Sequence, residues 1–137
     1  MKLKIPKVIQ EVETFIYGSM LIGGELQQDL ARAGIIKYNW SAGHLSDIGA
    51  SGFFTAFYLM ETDKIKNKFA IALGIPAFFS GLEIVGPLIT KHLPHPFVYD
   101  YQDAICYFGA SLTALGIKEL SKKLFDKKSN LESRAKN

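Results

Sequence analysis

The sequence predicts an all-α fold, namely a four-helix transmembrane bundle with both termini in the cytoplasm. Two observations lead to this prediction. Three segments are apolar over about the 20 residues that a helix needs to cross a bilayer, and the basic residues are sorted by loop. With 137 residues the chain has room for one domain. We therefore expect residues 1–120 to form a single integral-membrane domain and residues 121–137 a basic cytoplasmic tail.

The basic residues occupy alternate loops of the predicted bundle. With four spans, the N-terminal tail, the second loop and the C-terminal tail hold 13 Lys and Arg residues, whereas the first and third loops hold 3. Membrane proteins carry such an excess in their cytoplasmic segments, and a soluble bundle has no reason to sort its charges in this way. The distribution predicts a multi-pass protein of the cell membrane with cytoplasmic termini.

The first helix, expected over residues 13–33, is the weakest candidate span. Its apolar part, FIYGSMLIGG (15–24), runs directly into the polar ELQQDLAR. The sequence alone does not decide whether this helix crosses the bilayer or lies on its surface. Near its outer end, Glu25 and Asp29 share one helical stripe, which either contributes to a site or is a solvated face.

The other three spans are expected over residues 44–61, 69–90 and 100–118. The third contains FAIALGIPAFFSGLEIVGPLI, in which Glu83 is the one charged residue. Pro76 should kink this helix, and a membrane bundle tolerates such a proline when neighbours supply the missing hydrogen bond.

Acidic residues of all four helices are predicted to lie at the outer end of the bundle. Glu83 precedes Lys91 by 8 residues, which places it roughly 12 Å below that lysine. An acid at this depth faces the bundle interior, pairs with another group or holds a proton. Asp47 begins the second span, and Asp100 and Asp103 begin the fourth. We expect the inner halves of the helices to carry no acid.

These acids are expected to form an outward-facing pocket. Glu83 and Asp103 are the candidates for a general acid and base, and the candidates for ligand binding are Asp47, Asp100, Glu25 and Asp29. Acids gathered in a partly dry pocket repel one another, so some should hold protons, bind a cation or meet a basic side chain. No other cofactor is expected. Alternatively, the aspartates at the helix starts serve as N-cap or first-turn acids.

Several classes of site and partner are not expected. A net charge of +3 is too small to indicate nucleic-acid binding. The single cysteine excludes an internal disulfide, no Ser–His pair is evident, and no signal peptide is expected. We expect the histidines His44, His92 and His95 to be loop residues rather than metal ligands.

Three short motifs share a pattern of acids over residues 44–116. They read DIGAS (Asp47, Ser51), SGLEIVGP (Glu83) and DYQDAICYFGAS (Asp100, Asp103, Tyr107, Gly109). This pattern resembles the VanZ-like family of small polytopic membrane proteins. Three positions depart from it, because Ser51 stands where His is common, Gly86 where Gln often follows, and Tyr107 where Asn is frequent. The resemblance implies an outward-facing acidic pocket in a four-helix membrane fold with a role in the cell envelope, and it does not imply antibiotic resistance. It also implies that Ser51 and Tyr107, which stand at motif positions, are ligand-binding residues.

Two function classes follow from these predictions. The first is a site that binds or processes a cell-envelope or lipid-headgroup ligand, with or without catalysis. The second is a non-catalytic accessory subunit of a larger membrane complex, which the small-residue helix faces favour. The expected partners are the lipid bilayer, a lipid or envelope-derived small molecule, and other membrane subunits. An ion or proton pathway ranks below both, because it would need polar residues in the inner halves of the helices.

Overall fold

The described part of the chain forms four α-helices. The computed structural model describes residues 5–62, 64–92 and 100–135. The helices are α1 (Ile5–Arg32), α2 (Trp40–Met60), α3 (Ile65–Thr90) and α4 (Tyr101–Ala135). No strand occurs within the described ranges, so the all-α prediction is confirmed. The expectation for His95 lies outside the described residues.

Helices α2 and α4 form the centre of the bundle, since each packs against the other three helices. Over the described residues α1 and α3 do not contact each other. Helices α2 and α4 run in the same direction. His44 near the start of α2 bonds with Asp103 near the start of α4, and Leu59 near the end of α2 bonds with Lys118 further along α4. Helix α1 runs antiparallel to α2, because Gly24 lies against Ser46 and Tyr17 lies against Gly52.

Glycines let α1 and α2 approach very closely. A Cβ atom at Gly49 would lie 2.2 Å from the backbone nitrogen of Leu21, and one at Gly24 would lie 2.3 Å from the backbone nitrogen of Ser46. Any larger side chain at these two positions would push the helix backbones apart. Such close crossings through small residues are typical of helices that pack in lipid.

Local signals explain where the helices begin and end. The side chain of Asn39 accepts a hydrogen bond from the backbone N–H of Ala42 at 2.9 Å, which caps the start of α2. The side chain of Asp100 accepts from the backbone N–H of Gln102 at 2.9 Å, at the start of α4. Helix α4 continues to Ala135, so the described part of the expected basic tail is an extension of the last helix.

The buried residues are small or polar, and the exposed surface is rich in large apolar residues. Among the described residues, 11 polar or charged residues are buried against 9 hydrophobic ones, and most of those nine are alanines or tyrosines. In contrast, 26 large hydrophobic residues are exposed. Water-soluble proteins show the opposite preference, with large aliphatic side chains inside.

One stretch of the described helices, Lys66–Thr90 in α3, is long and apolar enough to cross a membrane. Only 11% of its most apolar window is buried inside the bundle. A single helix of this kind indicates membrane association weakly and does not by itself establish a multi-pass arrangement.

Candidate functional site

Three helices bring a cluster of ionisable and polar side chains together at one end of the bundle. Helix α2 contributes His44 and Asp47, one turn apart, α3 contributes Glu83, and α4 contributes Asp103 and Tyr107. We call these five residues the outer cluster. Four of the five are candidates that the sequence identified, and the structure joins them through direct hydrogen bonds.

His44 is the centre of one half of the outer cluster. Its Nδ1 atom lies 2.7 Å from Oδ1 of Asp103 and 3.8 Å from Oδ2 of Asp47. The side chains of His44, Asp47 and Asp103 are 10%, 17% and 14% exposed. The ring of Trp40 packs 5.1 Å from the imidazole ring. His44 is therefore a buried helical residue held by two carboxylates, and the prediction that it is a loop residue is wrong. The sequence feature that could have predicted this contact is the spacing of three residues between His44 and Asp47, which places both on one helix face.

Tyr107 is the centre of the other half. Its hydroxyl lies 3.0 Å from Oδ1 of Asp47 and 3.0 Å from Oε1 of Glu83. The hydroxyl carries one proton, so it donates to one carboxylate at a time, and the other contact is a hydrogen bond only if that carboxyl group carries a proton. Phe79 stacks on the tyrosine ring at 5.3 Å and holds its orientation. The phenol thus links the carboxyl groups of α2 and α3 in a geometry suited to sharing a proton.

A row of buried hydroxyl groups lies next to the outer cluster, further along α2 and α4. The Ser51 hydroxyl donates to the carbonyl oxygen of Tyr107 at 2.9 Å. Ser51 and Ser111 lie 2.7 Å apart, as do Ser111 and Thr55. Because the single proton of Ser51 is used on the carbonyl, Ser111 donates to Ser51 and Thr55 donates to Ser111. These bonds tie α2 to α4, so Ser51 supports the site rather than lining it.

Three predicted site residues lie outside the outer cluster. Glu25 is exposed on α1. Asp29 is also exposed and pairs with Arg32 at 3.2 Å. Asp100 precedes α4 and uses its side chain in the capping bond described above. These positions fit the alternatives of a solvated helix face and an N-cap.

The outer cluster includes a set of groups that could hold a cation. One ligand atom from each of His44, Asp47 and Asp103 lies within 4.8 Å of the others. No Lys or Arg side chain in the described ranges forms an ion pair with these residues. A mixed set of imidazole nitrogen and carboxylate oxygen is a common donor set for Zn²⁺, and carboxylates also suit Mn²⁺.

The half of the bundle opposite the outer cluster, which the sequence predicts to be the inner half, holds an acid that sequence reasoning missed. Glu13 is only 6% exposed, and its Oε1 atom is buried with no hydrogen-bond partner among the described residues. Tyr17, one turn away on α1, is buried as well, and its hydroxyl donates to the carbonyl oxygen of Ala110 at 3.3 Å. The expectation of inner halves without acids is therefore wrong. The sequence feature that could have predicted the burial of Glu13 is its spacing of four residues from Tyr17, which places both on the same face of α1.

Replacement of Glu13 by Met is expected to stabilise the protein. A buried carboxyl oxygen without a partner costs about 1–3 kcal/mol, and an apolar side chain of similar length removes that cost. Thermal unfolding in mild detergent measures the effect, and Glu11→Met is the control because Glu11 is exposed on the same turn. A lower unfolding temperature for Glu13→Met than for wild type would show that the carboxyl group has a stabilising partner.

Comparisons with protein-family models, with curated proteins and with solved structures find no match to this chain. The resemblance to the VanZ-like family thus remains a prediction that rests on the motif residues alone.

Proposed function

We propose that this chain is a multi-pass membrane protein whose four helices cross the bilayer with both termini in the cytoplasm. The distribution of side chains supports this proposal. Large apolar residues cover the outside of the helices, and hydroxyl and charged groups pair inside. In water, an apolar surface of this extent favours aggregation. In a bilayer the same surface would face lipid, and most of the buried polar groups would keep the partners that they have within the bundle.

The composition of α2 supports its inclusion among the spans. The mean hydropathy of a helix averages its buried and exposed faces. In α2 the polar residues lie on the buried face, so the mean understates the apolarity of the exposed face. Ser46, Ser51 and Thr55 are buried, whereas Phe54 and Phe57 are exposed. The face of α2 that would meet lipid is therefore more apolar than its average. The alternation of basic residues among the loops then orients the bundle with the outer cluster toward the outside.

The function that the geometry supports best is an outward-facing site that binds a divalent cation and, through it, a cell-envelope or lipid-headgroup ligand. The convergence of His44, Asp47 and Asp103 within 4.8 Å carries this proposal. Without a cation or bound protons, three carboxylates in a partly buried cluster repel one another. A divalent cation would remove this repulsion and leave coordination positions for an anionic or oxygen-bearing ligand.

Glu83 and Asp103 are the proposed acid–base groups if the site processes its ligand. Glu83 is half-buried and shares the hydroxyl of Tyr107 with Asp47, so a proton can pass between the two carboxyl groups through the phenol. Asp103 orients His44 and would hold the cation. The VanZ-like resemblance adds the expectation that the ligand belongs to the cell envelope.

Cation binding by the purified protein in lipid nanodiscs tests this function. We expect wild-type protein to bind Mn²⁺ or Zn²⁺ in titration calorimetry, and Asp103→Asn to weaken binding by about 100-fold because it removes a charged ligand beside His44. Glu25→Gln is the matched control, since Glu25 is an exposed acid at the same end of the bundle. Absence of binding to wild type, or equal losses for both variants, would contradict the proposed site.

A second candidate function is a non-catalytic accessory subunit. Four glycines favour it, namely Gly74 and Gly81 on α3 and Gly109 and Gly116 on α4, because a Cβ atom at any of them would meet no atom within 4 Å. Such open small-residue positions allow another membrane helix to approach closely. A stable stoichiometric assembly with other chains in mild detergent would favour this function over an independent binding site, and a lone monomer would count against it.

A further inference from the structure

An apolar groove lies between α2 and α3, near the middle of α3. It has a volume of about 290 Å³ and adjoins the apolar stretch Lys66–Thr90. Helix α2 contributes two lining residues and α3 contributes four, which are Phe54, Tyr58, Gly74, Ile75, Phe78 and Phe79. We call it the aromatic groove. Because the lining carries no charge and consists mostly of rings, the groove is suited to an apolar occupant.

One aromatic ring joins the aromatic groove to the outer cluster. Phe79 lines the groove, and its ring lies 5.9 Å from that of Phe54. The same ring stacks at 5.3 Å on Tyr107, whose hydroxyl contacts the carboxyl groups of Asp47 and Glu83. The outer cluster and the aromatic groove are therefore neighbours that share one wall, with polar groups on one side and apolar groups on the other.

The aromatic groove lies deeper along α2 than the groups that could hold a cation. Phe54 and Tyr58 follow His44 by 10 and 14 residues, which places the groove roughly 15–21 Å from His44 along the helix axis. The hydrocarbon chains of one membrane leaflet cover about 15 Å, half of the hydrocarbon core. The end of a long chain would therefore reach the groove from a head group at the outer cluster, and a chain of half that length would not.

The lining of the aromatic groove favours a hydrocarbon chain over a transmembrane helix. Helices that pack in lipid use small residues that let their backbones approach closely, and Gly74 is the one small residue of this lining. The rings of Phe54, Tyr58 and Phe78 are exposed, so they would hold a second helix backbone away. A hydrocarbon chain is much thinner than a helix, whose diameter is about 10 Å, and it fits between rings.

We propose that the ligand of the outer cluster is an anionic membrane lipid whose hydrocarbon chain ends in the aromatic groove. The proposal rests on the cation site proposed above, since oxygen atoms of the head group would bind the cation held by His44, Asp47 and Asp103. The chain would make dispersion contacts with the rings of the groove. A lipid with long chains should therefore bind better than one with short chains and the same head group.

Two glycines provide a matched pair of variants. Gly74 on α3 and Gly116 on α4 lie at similar depths, between the Lys68–Glu119 pair and the outer cluster. A Cβ atom at either glycine would meet no atom within 4 Å, so both positions accept a larger side chain. Gly74 lines the aromatic groove and Gly116 does not. Gly74→Leu therefore fills the groove, and Gly116→Leu adds the same side chain elsewhere.

Native mass spectrometry in mild detergent with Mn²⁺ measures how well the protein retains phosphatidic acid with eighteen-carbon or eight-carbon chains. The ratio of long-chain to short-chain retention should be about fivefold lower for Gly74→Leu than for wild type. For Gly116→Leu this ratio should stay within about twofold of the wild-type value. Comparing ratios between variants removes the difference in how the two lipids partition into detergent micelles.

Mn²⁺ binding in calorimetry separates this inference from the cation site. Gly74→Leu should bind Mn²⁺ as wild type does, because Gly74 lies outside the outer cluster. If wild type binds no Mn²⁺, the proposed function fails, and a lower ratio in Gly74→Leu would still support the groove. If wild type binds Mn²⁺ but the ratio is unchanged in Gly74→Leu, or falls equally in Gly116→Leu, the groove holds no lipid chain and the cation site stands. An unchanged ratio together with loss of a membrane-protein partner in Gly74→Leu would assign the groove to a helix instead.

Discussion

Gly49→Ala is expected to lower the free energy of unfolding by about 3 kcal/mol. The added Cβ atom would lie 2.2 Å from the backbone nitrogen of Leu21 and 2.6 Å from its Cα atom. Backbone atoms cannot rotate away as a flexible side chain can, so α1 and α2 must separate. Separation would also loosen the ring of Tyr17 against Gly52 and its hydrogen bond to Ala110.

Gly116→Ala is the matched control for this substitution. A Cβ atom at Gly116 meets no atom within 4 Å, and the position lies in the middle of α4. Alanine favours helix over glycine by about 0.5–1 kcal/mol, so the control should be neutral or slightly stabilising. Thermal unfolding in mild detergent, followed by circular dichroism, compares the two variants. Equal unfolding temperatures for Gly49→Ala and Gly116→Ala would contradict a close crossing of α1 and α2 at Gly49.

Asp47→Asn is expected to have opposite effects on stability in the absence and presence of a divalent cation. Asp47 lies beside His44 and shares the hydroxyl of Tyr107 with Glu83. With a chelator present, at an alkaline pH where the clustered carboxyl groups are ionised, removing one negative charge should raise the free energy of unfolding by about 1 kcal/mol, the energy of two unit charges at 4 Å in water. With Mn²⁺ at about 100 times its dissociation constant, wild type should gain about 2.7 kcal/mol and the variant much less.

The order of unfolding temperatures should therefore reverse between the two conditions. Asp29→Asn is the control, because Asp29 is exposed and pairs with Arg32 outside the outer cluster. The unfolding temperature of Asp29→Asn should stay close to that of wild type both with chelator and with Mn²⁺. If Asp47→Asn keeps the same rank relative to wild type in both conditions, Asp47 does not bind the cation.

Much of the fold follows from local features of the sequence. The apolar segments and the turn residues between them predict four helices, and the observed α2 and α3 begin four residues before the expected spans and end close to their expected ends. Helix α4 continues to Ala135, well past the expected span of residues 100–118, although its later part is polar and charged. Helix formation depends on local hydrogen bonds and propensity, which continue past the end of an apolar stretch.

The composition of the candidate site depends on helix rotation as well as on position along each helix. The helical rise predicts that Glu25 and Asp29 lie near the same end of the bundle as Asp47 and Asp103. The structure leaves both on an exposed face of α1, while Asp47 and Asp103 converge on His44. Position along a helix follows from residue number, but the direction in which a side chain points depends on how the helix is rotated against its neighbours.

The sequence by itself determined that the described residues form an all-helical fold of four helices, and that Asp47, Glu83 and Asp103 lie near one level of the bundle. These properties depend on local hydrogen bonding and on a constant rise per residue. Only the tertiary structure decided that His44 joins that cluster, that Glu13 is buried, and that Lys118 meets the end of α2. Those outcomes depend on helix rotation, which is set by close contacts between residues distant in sequence, above all where Gly24 and Gly49 bring α1 against α2.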